Sequence, residues 1–143
     1  MLAGQLAIIT AAVFSGAAVY VNFAEQHARL DLDDQALLDE WKPSYKRGFM
    51  MQAPLAILGF VLGAIAWWQS GIWLWGAGAL IMIANWPVTL FVIMPTNNQL
   101  MATMTASSES RSLIKRWGAL HAIRTALGFA ATATFLLASI APN

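Results

Sequence analysis

The sequence predicts an all-α fold: an integral membrane four-helix bundle with short cytoplasmic helices, in one transmembrane domain over residues 1–143. Three observations predict it. Of the 143 residues 59% are hydrophobic, and only 15 carry full charge, 8 Lys+Arg against 7 Asp+Glu. Charged residues make up 10% of the chain, against about a quarter in a soluble domain. That is too few to coat a globule of this size, and the mean hydropathy of +0.60 points the same way. Secondly, four stretches are long and apolar enough to cross a bilayer, which takes about 20 residues at about 1.5 Å each. Thirdly, 14 of the 15 charges fall in two segments between those stretches, and the remaining one, Arg124, lies inside the fourth. A net charge of +1 leaves no basic face for phosphates, so no nucleic acid is expected as a partner. With no cysteine there are no disulfides, zinc–thiolate sites, iron–sulfur clusters or thiol catalysis.

The first crossing runs over about 2–23 without a charge. A signal peptide is the alternative, but no Lys or Arg precedes Arg29 to form a basic n-region. The second, about 49–68, is also uncharged, and Gln69-Ser70-Gly71 joins it to the third, about 72–94, as a tight hairpin. The fourth, about 117–141, is apolar except for His121, Arg124 and scattered Thr and Ser.

Segment 24–48 holds Arg29, Lys42, Lys46 and Arg47; segment 95–116 holds Arg111, Lys115 and Arg116. The N-terminus, the hairpin link and the C-terminal residues hold no Lys or Arg. By the positive-inside rule, the two charged segments are expected in the cytoplasm and both termini outside. Within them, 33–41 shows helical spacing (Ala36, Leu37, Trp41), with Pro43 as its stop. Thr96-Asn97-Asn98-Gln99 has the form of a capping box opening a short helix through Met104. Ser108 with Glu109 begins a helix running straight into the fourth crossing. Trp67, Trp68, Trp73 and Trp75 are expected as an outer interfacial belt, and Trp41, Tyr45 and Trp117 as an inner one. Gly59 and Gly63 form a small-xxx-small step for close packing, within the bundle or in a homo-oligomer.

An ionisable group at membrane depth costs about 2.5–3.5 kcal/mol on insertion scales, which makes it a functional candidate. Trp117, His121 and Arg124 share one helical face, with His121 and Arg124 roughly 6 and 10 Å below the inner surface. Snorkelling would account for Arg124 alone but not for a histidine and a tryptophan beside it. Other polar groups fall at the same level: Asn22, Glu25 and His27 from the first helix, Arg47 and Gln52 from the second, Asn85, Asn97 and Asn98 from the third. Pro87, after Asn85 and Trp86, removes a backbone donor and is expected to kink the third helix. In this cluster His121 is the natural general acid or base, and Arg124 a stabiliser of an oxyanion or enolate. Glu25 could orient the imidazole or neutralise Arg124. A metal reading would use Glu25, His27 and His121, a set suited to non-haem iron. On a regular helix, however, Glu25 and His27 point about 200° apart, and a bis-histidine haem meets the same obstacle in the shallow His27.

These residues also carry a pattern. Gly16 with Tyr20, then Glu25-Gln26-His27-Ala28-Arg29, Trp41 and Arg47 form its first half. Trp86-Pro87, Met94-Pro95-Thr96-Asn97 with Leu100, and Trp117-x3-His121-x2-Arg124 form its second. Together they resemble the anthrone-oxygenase-like family of small integral membrane proteins, many of them bacterial. Ala28 departs from the proline that many members carry after the histidine, which leaves the aim of His27 open. The resemblance implies an oxygenase that converts an anthrone to an anthraquinone without a conventional organic cofactor, in the bacterial inner membrane. It makes His121 or His27 the base, and Arg124 and Asn97 the enolate holders. Trp117 or Trp86 would pack on the aromatic plane, with Asn22, Asn85 and Arg47 as further substrate contacts. The implied partners are a hydrophobic aromatic small molecule and membrane lipid. The competing expectation is a non-enzymatic quinone- or lipid-binding subunit, or an assembly partner of a larger membrane complex.

Overall fold

Four long helices make up the described residues. The computed structural model describes residues 1–142; Asn143 lies outside the described residues. Helix α1 covers Leu2–Leu30, α2 Asp34–Ser70, α3 Trp73–Ala102 and α4 Ser108–Ile140, each apolar enough over a sufficient length to span a membrane. Among the described residues there is no strand. The links are short, so consecutive helices run antiparallel, as in an up-and-down bundle. Gly71 makes the α2–α3 turn possible: its φ of +72° lets the chain reverse while its N–H closes onto the Trp67 carbonyl. Helices α1 and α3 each pack on α2 and α4 and take opposite corners of the bundle.

The helices outrun the predicted crossings. At 37 residues, α2 is about 55 Å long, nearly twice a hydrocarbon core of about 30 Å. Pro43, expected to stop a short helix, lies inside α2 together with Pro54. An internal proline costs about 3 kcal/mol. Fully burying Leu37, Leu38 and Trp41, where α2 meets Leu100 and Ile114, returns about 1.5–3 kcal/mol for each side chain. Packing therefore overrides the stop. Asp33 caps the start, its carboxylate accepting from Ala36 N–H at 2.9 Å.

The capping box expected at Thr96 does not form. Helix α3 continues through 94–102, and no side chain caps that segment. A wide π turn over Val88–Ile93 precedes it and already interrupts the i→i−4 ladder that Pro95 could not join. The working box lies further on, where Ser107 and Ser110 bond reciprocally to each other's backbone N–H and open α4. From there α4 runs unbroken through the predicted crossing.

Two aromatic assignments change. Trp75 leaves the outer belt: it is buried, stacked on Phe135 at 5.7 Å and seated on Gly4. At the other end Trp41, Tyr45 and Trp117 form an internal cluster, with Trp41 stacked on Tyr45 at 5.0 Å and edge-on to Trp117 at 5.6 Å. The Gly59–Gly63 step is used inside the bundle. A Cβ at Gly63 would come within 2.7 Å of Phe135, and one at Gly59 within 2.8 Å of Met82.

Candidate active site

Two π turns lie at the charged end, Val21–Glu25 in α1 and Val88–Ile93 in α3. Each inserts one residue, so the turns beyond it are rotated by about 100° from a regular helix. In α1 the π turn sends Asn22 towards α4. Its Nδ2 donates to the Gly118 carbonyl at 2.9 Å, and its Oδ1 lies 3.0 Å from His121 Nδ1 and 2.6 Å from the Thr125 hydroxyl. In α3, Pro87 has no N–H to donate to the Ile83 carbonyl, and the wide turn comes directly after it.

His121 and Arg124 are buried, 4% and 7% exposed. They share one pocket with Trp117 and Asn97 and with a stripe from α2: Ser44, Tyr45, Gly48, Phe49 and Gln52. The enclosed volume is about 20 Å³, room for roughly one water molecule. Gln52 Oε1, Asn97 Oδ1 and Arg124 Nε are buried without a protein hydrogen-bond partner. Buried polar atoms of native folds are normally paired, so three around one void stand out as hydrogen-bonding capacity left open towards it. Arg124 stands over the Phe14 ring at 5.5 Å. Among the described residues no carboxylate pairs with it. On its far side, Asn85, Trp86 and Thr89 line a second void of about 10 Å³.

A wider groove of about 470 Å³ opens between α1 and α2 and shares Val21, Ser44 and Gly48 with the pocket. This is within the range of about 300–1,000 Å³ usual for small-molecule sites. Arg47 lies exposed on its wall, beside Glu25 and Glu40. Arg29, 2% exposed, ties this end together. It pairs with Glu25 at 2.8 Å and Glu40 at 3.0 Å, donates to Ser44, and stands 5.6 Å from the centre of the Trp117 ring. Ser44 in turn donates to Glu25.

The structure thus gathers His121, Arg124, Asn97 and Trp117 in one pocket and sets Asn22 directly behind His121. Asn85 and Trp86 lie one side chain away, across Arg124, and Arg47 lines the groove. Glu25 and His27 stand elsewhere. Glu25 is taken by Arg29 and Ser44, so it neither orients His121 nor neutralises Arg124. His27 is exposed on the outer face, its Nδ1 3.1 Å from the Asn22 carbonyl, and lines a groove between α1 and α4. Glu25, His27 and His121 therefore form no ligand set, and among the described residues no group of three His, Cys, Asp or Glu is placed to hold a metal.

Of the α2 stripe the sequence-based cluster contains Gln52 alone; Ser44, Tyr45, Gly48 and Phe49, and Thr125 on α4, are absent from it. Their signal is the 41, 45, 48, 52 spacing of one helical face, hidden by reading Pro43 as a helix end. Thr125 stands a full turn past His121, where threonine passes for an ordinary interior residue.

A small multi-pass membrane protein with a polar pocket sunk in one half of its bundle is the class these features define. The chain belongs to the anthrone oxygenase family, whose model matches residues 41–134. The match begins at Trp41, so it takes in the α2 stripe and the His121–Arg124 pair and leaves out α1. No curated protein and no solved structure matches the chain.

Proposed function

We propose that the protein is a membrane-embedded oxygenase that uses O2 to turn the activated methylene of a flat, hydrophobic, anthrone-like molecule into a carbonyl. The observation that carries this is Arg124, a buried cation without a counter-ion among the described residues, in the same pocket as His121. A site that keeps an unpaired cation in an apolar bundle is prepared for negative charge that arrives or develops there. The aromatic body of the substrate lies in the α1–α2 groove, beside Arg47, with its reacting edge at the pocket.

His121 takes a proton from the methylene, and Arg124, with Asn97, holds the enolate oxygen. The carbanion passes electrons to O2 and forms the C–O bond of a peroxide, which takes the proton back. Loss of the second C–H proton with cleavage of the O–O bond leaves the carbonyl and hydroxide, which His121 protonates to water. One O2 enters and one water leaves. The substrate supplies all four electrons, so the sequence of steps requires no bound metal or organic cofactor. Trp117 packs beside the imidazole, 5.1 Å between ring centres, and forms one wall of the pocket.

In this reading the charged end faces the cytoplasm of a bacterial inner membrane, with both termini outside. The test is oxygen uptake by the purified protein in lipid nanodiscs on addition of an anthrone. Wild type is expected to consume one O2 per quinone formed. His121→Ala is expected to abolish uptake while circular dichroism and thermal unfolding stay as in wild type. Undiminished turnover in that variant would remove the catalytic role.

A further inference from the structure

We infer that Asn22 and Thr125 are positioning residues that lock His121 in the Nδ1–H tautomer and so leave its Nε2 as the proton-accepting atom of the pocket. The inference deepens the oxygenase reading and rests on it for the use made of Nε2. The tautomer itself is set by hydrogen bonding alone.

One backbone group has no choice of role. The Gly118 carbonyl only accepts, so the Asn22 atom 2.9 Å from it is the amide nitrogen. The other amide atom is then Oδ1, an acceptor. The Thr125 hydroxyl, 2.6 Å away, donates to it, and the ring nitrogen at 3.0 Å must donate too. His121 Nδ1 therefore carries the hydrogen, and in the neutral ring Nε2 carries the lone pair. No protein group pairs with Nε2 among the described residues.

Gly118, His121 and Thr125 stand on consecutive turns of one α4 face, and the π turn of α1 delivers Asn22 to it. Packing leaves little room for another arrangement. A Cβ at Gly118 would come within 2.7 Å of Gln26, whose Nε2 donates to the Ile114 carbonyl one turn earlier. Asn22 and Gln26 thus each bond an α4 carbonyl, fixing the register between the two helices. An amide, unlike a carboxylate, accepts the Nδ1 hydrogen without taking up the proton. A proton gained at Nε2 therefore leaves only through the pocket, which suits a base that returns it first to a peroxide and then to a hydroxide.

The test is a spectroscopic signature. The chain has two histidines, so His27→Gln leaves His121 as the single imidazole in 15N-histidine-labelled protein in nanodiscs. At a pH where the ring is neutral, the expected pattern is a protonated Nδ1 and an unprotonated Nε2; the reverse overturns the inference. Asn22→Leu, in the same background, is expected to lose that pattern and to lower kcat about 10²-fold with KM little changed. Asn22→Asp, which keeps the acceptor, is expected to retain Nδ1–H. An Asn22→Leu protein that still shows Nδ1–H overturns the inference. If that variant does not fold, the single-histidine and Asn22→Asp spectra decide. The two readings fail separately: turnover by His121→Ala with Nδ1–H observed sinks the catalytic role alone, and Nε2–H with His121→Ala inactive sinks the clamp alone.

Discussion

The two ends of this bundle solve opposite problems. At the end without Lys or Arg, the core is Ala7, Ala11, Trp75, Phe135 and Ala138 with almost nothing polar. Large rings sit in glycine notches: Phe135 fills the space over Gly63 and Gly78, Trp75 that over Gly4, and Trp67 that over Gly76. In lipid, where apolar surface gains nothing by being buried, close van der Waals fit is what holds helices together. At the charged end the core carries Gln26, Arg29, Gln52, Asn85, Asn97, His121 and Arg124, and several of their polar atoms have no partner. One end devotes its residues to packing, the other keeps costly polar groups in its core.

The largest expected effect that bears on this division is at Arg124. Arg124→Met keeps the side-chain length and removes the charge. Turnover in the oxygen assay is expected to fall about 10²–10³-fold, as when a transition-state charge loses its stabiliser. Thermal unfolding in detergent is expected to stay level or rise, because an unpaired buried cation no longer opposes insertion, a cost of about 2.5–3.5 kcal/mol. A variant that loses stability in step with activity would make Arg124 a structural residue and erase the contrast between the ends.

Gly78→Leu probes the other end. A Cβ there would come within 2.5 Å of Phe135, and overpacking of this kind costs about 1–3 kcal/mol. The melting temperature is expected to drop, while turnover per folded molecule stays at the wild-type value. Lost turnover without lost stability would mean that the packed half takes part in the reaction. The smallest effect belongs to His27→Ala. His27 is exposed and outside the pocket, so both turnover and stability are expected within about twofold of wild type, the range of a surface change. A large loss would return His27 to the site.

By itself the sequence determined the number of helices, their antiparallel order and the end that holds the polar groups. These follow from hydrophobic length and from where 15 charges fall, and both are local properties of the chain. It also placed Trp117, His121 and Arg124 on one face, because a regular helix fixes the angle between residues four and seven apart. Tertiary structure decided what local rules could not. Pro43 fails to end α2 because the burial of Leu37, Leu38 and Trp41 outweighs a missing hydrogen bond. The π turn at Val21–Glu25 shifts the phase of α1, so Asn22 reaches His121 while Glu25 turns to Arg29 and His27 to the outer face. One inserted residue per turn leaves no mark in the spacing of apolar side chains. Only the packing of α1 against α4 selects it.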